Sequence, residues 1–148
     1  MNPSTQPVRR FFEAYKAHDL DAMVAMCDFN ADMDYVPFEV ARRQRVVRGT
    51  GKVHGIGKTI WSALIDAFPD LSNDITWIDA DGQGNVAVEV HIGGTQAKAF
   101  GTIPAASQRY WVPHLFTFKV NDRGLITGIS AFWDGADMNR QLGYAEVD

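Results

Sequence analysis

An imidazole and a carboxylate set among apolar side chains are groups with which a protein exchanges protons, and this 148-residue chain carries both in its last third. Tyr110, Val112, His114, Phe116 and Phe118 fall on one side of an alternating run, which makes His114 the polar member of an apolar row. In the next run Gly128, Ser130, Phe132 and Asp134 share a side, opposite Ile129, Ala131 and Trp133, so that Asp134 ends an otherwise uncharged face. Earlier, Val86, Val88, Val90 and Ile92 take one side and leave Ala87, Glu89 and His91 on the other. Each group also has an ordinary structural role. Asp134 can cap a short helix after it, His114 can be a hydrogen-bonded core histidine, His91 can face solvent beside Glu89, and Tyr15 and Trp61 can be core.

The elements that must position these groups run from helical to extended. Ser4 or Thr5 can cap a first helix in which Pro7 suits the opening turn and Val8, Phe11, Phe12 and Tyr15 repeat on one face. His18-Asp19 breaks that pattern, and Leu20, Met23, Val24 and Cys27 mark a second, shorter helix started by Asp19. Residues 33–38 read as extended. Residues 39–58 hold four arginines and four glycines without a sustained period, which predicts a long irregular connection able to lid a pocket. Ile56, Ile60, Leu64 and Phe68 form the stripe of a third helix, with Trp61 and Ile65 beside it, ending at Pro69. Period-two runs follow at 74–80, 85–93, 109–120 and 125–133; Asp81-Gly82-Gln83-Gly84 and Asn121-Asp122-Arg123-Gly124 read as hairpin connections. Residues 93–107 predict a short strand and a crossing loop at 103–105, and 136–144 one or two helical turns. Helices first and antiparallel strands later make an α+β fold, as one domain over 1–148.

Composition narrows the partners. An apolar content of 46% supports a real core at this length. A net charge of −4 gives no general pull toward nucleic acid or an anionic membrane. No run of about 18 apolar residues is present, and charges in the first twenty-five residues argue against a signal peptide, so the expected location is the cytoplasm. Cys27 is the only cysteine, which rules out an intramolecular disulfide and a cysteine-rich metal site. His18 and His54 have no partner at metal-ligand spacing, and no metal is expected. Arg42, Arg43, Arg45 and Arg48 read as a solvated loop. Gly55-Ile56-Gly57-Lys58-Thr59 lacks the spacing of a phosphate loop despite its ending, and neither a nucleophile elbow nor a dinucleotide fingerprint occurs.

Gly93-Gly94-Thr95-Gln96, then residues 100–105 (Phe-Gly-Thr-Ile-Pro-Ala), Gly124-Leu125-Ile126, Phe132-Trp133-Asp134 and Gln141-Leu142-Gly143 together resemble the SnoaL-like polyketide cyclases, also called ester cyclases. Ala67-Phe68-Pro69-Asp70-Leu71 resembles that family's helix-to-sheet junction. The resemblance is strong over the second half and rests on element order in the first. It implies the cone-shaped α+β barrel of the nuclear transport factor 2-like and ketosteroid isomerase-like group, with an apolar pocket between a curved sheet and the helices. The chain departs from the family pattern at Gln96, where a histidine often follows the threonine, and at Gly128-Ile129-Ser130, where a Glu-His-Trp-like run is common.

The resemblance implies cofactor-free carbanion chemistry on a small hydrophobic carbonyl compound, ending in aldol cyclisation or isomerisation. Asp134 matches the family's catalytic aspartate. His114 or His91 would donate a hydrogen bond to the enolate, and Tyr15, Trp61, Phe116 and Phe132 would help to hold the ligand. Two other classes use the same pocket: a hydratase, dehydratase or hydrolase with His114 or Asp34 near Asp134, and a non-catalytic ligand-binding module. Ile129, Ala131 and Trp133, read as an outer face, predict a homodimer through the sheet.

Overall fold

The computed structural model describes residues 4–38, 49–100 and 103–143, and the arginine cluster at 42–48 lies outside them. Two helices open the chain, α1 (Thr5–Lys16) and α2 (Leu20–Ala25), the second capped by Asp19, whose carboxylate accepts from the Ala22 N–H at 3.1 Å. Cys27 opens strand β1 (Cys27–Phe38) instead of closing α2, so the extended segment starts six residues before the pattern predicts. Its thiol is buried and inert, pushed up to about 12 by desolvation. Strand β2 (Gly49–Lys52) and a π-helical turn (Val53–Gly57) occupy part of the expected irregular connection and lead into α3 (Lys58–Ala67).

Four long strands follow: β3 (Ser72–Ala80), β4 (Asn85–Thr95), β5 (Arg109–Val120) and β6 (Ile126–Asp134), with a last short helix α4 (Gly135–Gln141). They join β1 and β2 in one six-stranded sheet of order β2-β1-β6-β5-β4-β3. All neighbours are antiparallel except β1 and β6, which run parallel with Asp32 opposite Gly128 and Tyr35 opposite Ala131. Both predicted hairpins form around a side chain that organises its own turn. Asp81 accepts from the backbone N–H groups of Gln83 and Asn85, and Asn121 from those of Arg123 and Leu125. Gly124 takes φ +77, a conformation that closes the second turn and that a side chain would resist.

Together the elements form the nuclear transport factor 2-like cone, an α+β fold in which the helices lie on the concave face of the sheet. Strict alternation produces that face: in β4 Val86, Val88, Val90 and Ile92 are buried, and in β5 Tyr110, Val112, His114, Phe116 and Phe118. Strand β6 corrects the sequence reading. Ile129, Ala131 and Trp133 pair with Phe118, Phe116 and His114 and therefore face inward, while Gly128, Ser130 and Phe132 face out. The small and polar residues mark the solvated side, as the burial of apolar area demands. Among the described residues no helix is long and apolar enough to cross a membrane.

Candidate functional site

Between α1, α3 and the concave face lies a cavity of about 50 Å³. Helix α1 contributes Tyr15, α3 contributes Ile60, Trp61 and Leu64, and β5 contributes Tyr110, His114 and Phe116. Strand β6 supplies Ala131 and Trp133, β1 supplies Met33 and Tyr35, and Ile92 of β4, Met138 of α4 and Phe100 of the β4–β5 connection close the rest. The walls are apolar, and the polar atoms are few and borne on rings. His114 is the one described imidazole among them, and no carboxylate is among the described lining residues.

The state of His114 follows from its surroundings. Its Nδ1 lies 3.1 Å from the carbonyl oxygen of Val112, two residues back on the same face. A carbonyl can only accept, so Nδ1 carries the hydrogen and donates it. Burial lowers the imidazole from its ordinary 6.5 to about 4; the bond to Val112 opposes that shift and the nearby charge of His91 reinforces it. The ring is therefore neutral at pH 7, with a bare lone pair on Nε2 and no partner for it among the described residues. This reverses the expected role of His114 as an N–H donor, because the sheet has already engaged its only N–H. Tyr15 and Tyr110 are shifted the opposite way. Burial raises both phenols, and for Tyr110 the charge of Tyr15 adds to the rise, so both remain O–H donors. Neither hydroxyl is bonded to another described residue.

Of the residues expected at the site, the fold brings Tyr15, Trp61, His114 and Phe116 to one cavity. Trp61 is also core, edge-on to Phe11 at 5.2 Å. His91 and Phe132 are on the convex side. His91 stacks on half-exposed Trp111 at 5.9 Å, and Phe132 sits in register between Leu115 and Val36. Asp34 alternates with the lining residues Met33 and Tyr35 and faces outward beside Ser130. Asp134 is the N-cap of α4: its Oδ1 accepts from the Asp137 N–H at 3.0 Å, and Oδ2 is 4.0 Å from Arg140. It is not among the cavity's described lining residues. Sequence reasoning missed Tyr35, Tyr110 and Trp133. Tyr110 and Trp133 belong to the alternating rows, and the small, polar partner row of Gly128 and Ser130 is the signal that Trp133 points inward.

The motifs behind the family resemblance hold the frame. Asp70 accepts from the backbone N–H of Thr95 at 2.6 Å and from its hydroxyl at 2.8 Å, and these bonds keep its carboxyl below the usual carboxylate range. A Cβ on Gly94 would come within 2.9 Å of that carboxylate and 3.1 Å of Leu71. The junction after α3 is thus clasped to the end of β4. Gln141 of α4 accepts from the Trp111 N–H at 2.7 Å, where β6 no longer pairs with β5. Gln96 is buried and donates to the Ile103 carbonyl at 3.0 Å.

A family model described as a SnoaL-like domain matches residues 8–129. No curated protein matches the chain in sequence. Solved structures share the fold at low identity. A candidate hydroxylase from Streptomyces galilaeus superposes with a TM-score of 0.78 at 15% identity, covering 97% of this chain and 86% of that one. A candidate SnoaL-like polyketide cyclase from Jannaschia gives 0.74 at 18%, over 97% and 94%. An LEH-like epoxide hydrolase from M. tuberculosis gives 0.65 at 20%, over 95% and 89%.

Proposed function

Because this chain belongs to the SnoaL-like domain family, we propose that it is an enzyme that takes a proton from an activated carbon of a small, largely apolar carbonyl compound, with His114 as the base. The observation that carries the reading is the neutral imidazole at the wall of the apolar cavity, its Nδ1 hydrogen committed to Val112 and its Nε2 lone pair unpartnered among the described residues. Nε2 accepts the proton, the C–H electron pair moves into the carbonyl, and the enolate oxygen accepts hydrogen bonds from the hydroxyls of Tyr15 and Tyr110. Reprotonation at a second carbon gives isomerisation, and attack of the carbanion on a second carbonyl of the same molecule gives ring closure. A base whose conjugate acid lies near 4 suits a carbon acidified by two carbonyls better than one. No part of the scheme calls on a cofactor or metal.

Asp134 is the competing base. In its favour, it follows Trp133, a lining residue, and among the described residues its Oδ2 has only the distant Arg140 beside it. With water as the reactant, the same residues would make a hydrolase or hydratase, the direction suggested by the epoxide hydrolase neighbour. The test is exchange of the acidic C–H of aryl-substituted 1,3-diketones in deuterium oxide, followed by NMR. The reading expects exchange to collapse in His114→Phe and to persist in Asp134→Asn. The reverse pattern moves the base to Asp134. Exchange no faster than without protein, across the panel, removes the enzyme reading in favour of a ligand-binding module.

The expected homodimer shifts to the other face of the sheet, where Trp77, Leu115 and Phe132 are linked in register across the strands and Trp77 and Leu115 are exposed. A second copy seated there predicts a sedimentation coefficient that falls to the monomer value in Leu115→Glu.

A further inference from the structure

A cavity of about 50 Å³ holds a few water molecules, whereas pockets for organic ligands run to about 300–1,000 Å³. If the cavity is the ligand site, something at its wall must move. Outside it, between β1, the π-helical turn and α3, lies an open groove of about 1150 Å³. Three of the described side chains line both spaces: Tyr35, Ile60 and Phe100. They are the partition between groove and cavity.

The three are not held alike. Phe100 is braced edge-on against buried Phe68 at 5.9 Å, and Ile60 is fixed on α3. Among the described residues Tyr35 has one ring contact, a stack on Trp133 at 6.3 Å and 28°, and it lies over Gly49. A Cβ on Gly49 would collide with the far end of the Tyr35 ring, so the ring rests where it does because residue 49 has no side chain. Behind Tyr35 the near-parallel rings continue: Trp133 on His114 at 5.3 Å and 22°, then His114 beside Phe116 at 6.1 Å and 30°.

We propose that Tyr35 is the entrance gate and size-selecting residue of the cavity, and that it swings off Trp133 to admit a flat, apolar ligand from the groove along the ring faces leading to His114. The ring turns about its own side-chain bonds and costs one half-buried stack, while Phe100 and Ile60 form the fixed jambs. The ligand class is a planar, mainly aromatic or conjugated compound, since the exposed edge of the ladder offers ring faces and few hydrogen-bonding groups.

The proposal rests on the cavity being the ligand site, and the experiment separates the two claims. The probe is N-phenyl-1-naphthylamine, a neutral, flat fluorophore, mixed with the purified protein by stopped flow. Tyr35→Ala is expected to raise its association rate about tenfold or more, as removal of a gating step does, and Tyr35→Phe to leave it near wild type, because the gate uses the ring and not the hydroxyl. Gly49→Ala, which displaces the ring without removing it, is expected to act in the same direction as Tyr35→Ala. Ala131→Phe fills the cavity and is expected to abolish binding; Leu64→Phe does so from α3 should the first variant fail to fold by circular dichroism. Probe binding that survives a folded cavity-filling variant overturns the cavity as the ligand site. Binding that is lost there, yet associates at the wild-type rate in both Tyr35→Ala and Gly49→Ala, overturns the gate alone.

Discussion

The two ends of the concave face are built from the same helix and the same strand, yet one is solid and the other hollow. At the solid end Phe11 and Phe12 of α1 meet Phe116 and Phe118 of β5 edge to face, with centroids 5.2–5.8 Å apart. At the hollow end the rings change type. One helical turn on, α1 presents Tyr15, and one strand repeat on, β5 presents His114 and then Tyr110. Phe116 belongs to both ends. Rings without polar atoms can interlock at any contact, which fills space. A ring with a hydroxyl or imidazole nitrogen must either find a partner or keep room for one, and here Nε2 of His114 and the two phenols have none within the described residues. The lesson is that the place of the site is set by where phenylalanine gives way to tyrosine and histidine along two elements, with no change in backbone.

That contrast can be broken most sharply at the solid end. Phe11→Ala is expected to cost about 3–5 kcal/mol in a urea melt, the range for truncating a packed aromatic core residue. A cost near that of a surface mutation would mean the two ends are packed alike. Acid should expose the hollow end next. The folded-state value of His114, about 4, lies below the ordinary 6.5, so the unfolded chain binds the proton more tightly. Stability from the neutral ring is complete above pH 6.5, falls as pH drops toward 4, and levels off below; the loss across that window is about 3 kcal/mol. In His114→Phe that acid slope should flatten, which a series of melts between pH 7 and pH 4 would reveal. With His114 as the proposed base, the acid limb of turnover is expected near pH 4, and a limb near 6.5 would show a solvated imidazole instead.

A smaller effect separates packing from chemistry within the hollow end. Tyr15→Phe keeps the ring and is expected to change stability by less than about 1 kcal/mol while slowing C–H exchange by about ten- to a hundredfold, the signature of a lost oxyanion donor. If stability falls and exchange does not, Tyr15 belongs with the solid end. Smallest of all is the helix cap. Asp134→Ala should cost about 1 kcal/mol and Asp134→Asn only a few tenths, since asparagine caps as well.

Much of the frame was legible because each signal is local. The Asp81 and Asn121 turns, the alternation of β4 and β5 and the capping Asp19 depend on neighbours a few residues away. The site was harder. Whether Trp133 or Phe132 faces inward depends on which of two strand faces meets the helices, and the weak apolarity of β6 leaves that choice to its partners, β1 and β5. The tautomer of His114 depends on a carbonyl brought close by the pleat, which no residue type announces. Asp134 drew attention as a lone carboxylate on a neutral face, but an Asp followed by Gly-Ala-Asp is also how a helix begins, and that is the role its hydrogen bond fills. The motif Gly93-Gly94-Thr95 resembles the family's, and its contacts are with Asp70 and the backbone of β5.

The parallel pairing of β1 with β6 also has a consequence in time. A chain emerging from the ribosome makes β1 early, with one flank answered by nearby β2, and the other flank must wait until residues 126–134 have been synthesised. The helices and the first half of the sheet therefore cannot close into a cone until β6 has emerged. Such long-range closure is slow, and an unanswered strand flank is a site for pairing with another nascent chain. Truncation just before β6 should thus leave a sticky polypeptide and not a smaller folded one, and protection of the β1 amides on the flank that meets β6 should appear in a refolding experiment only when that of β6 does.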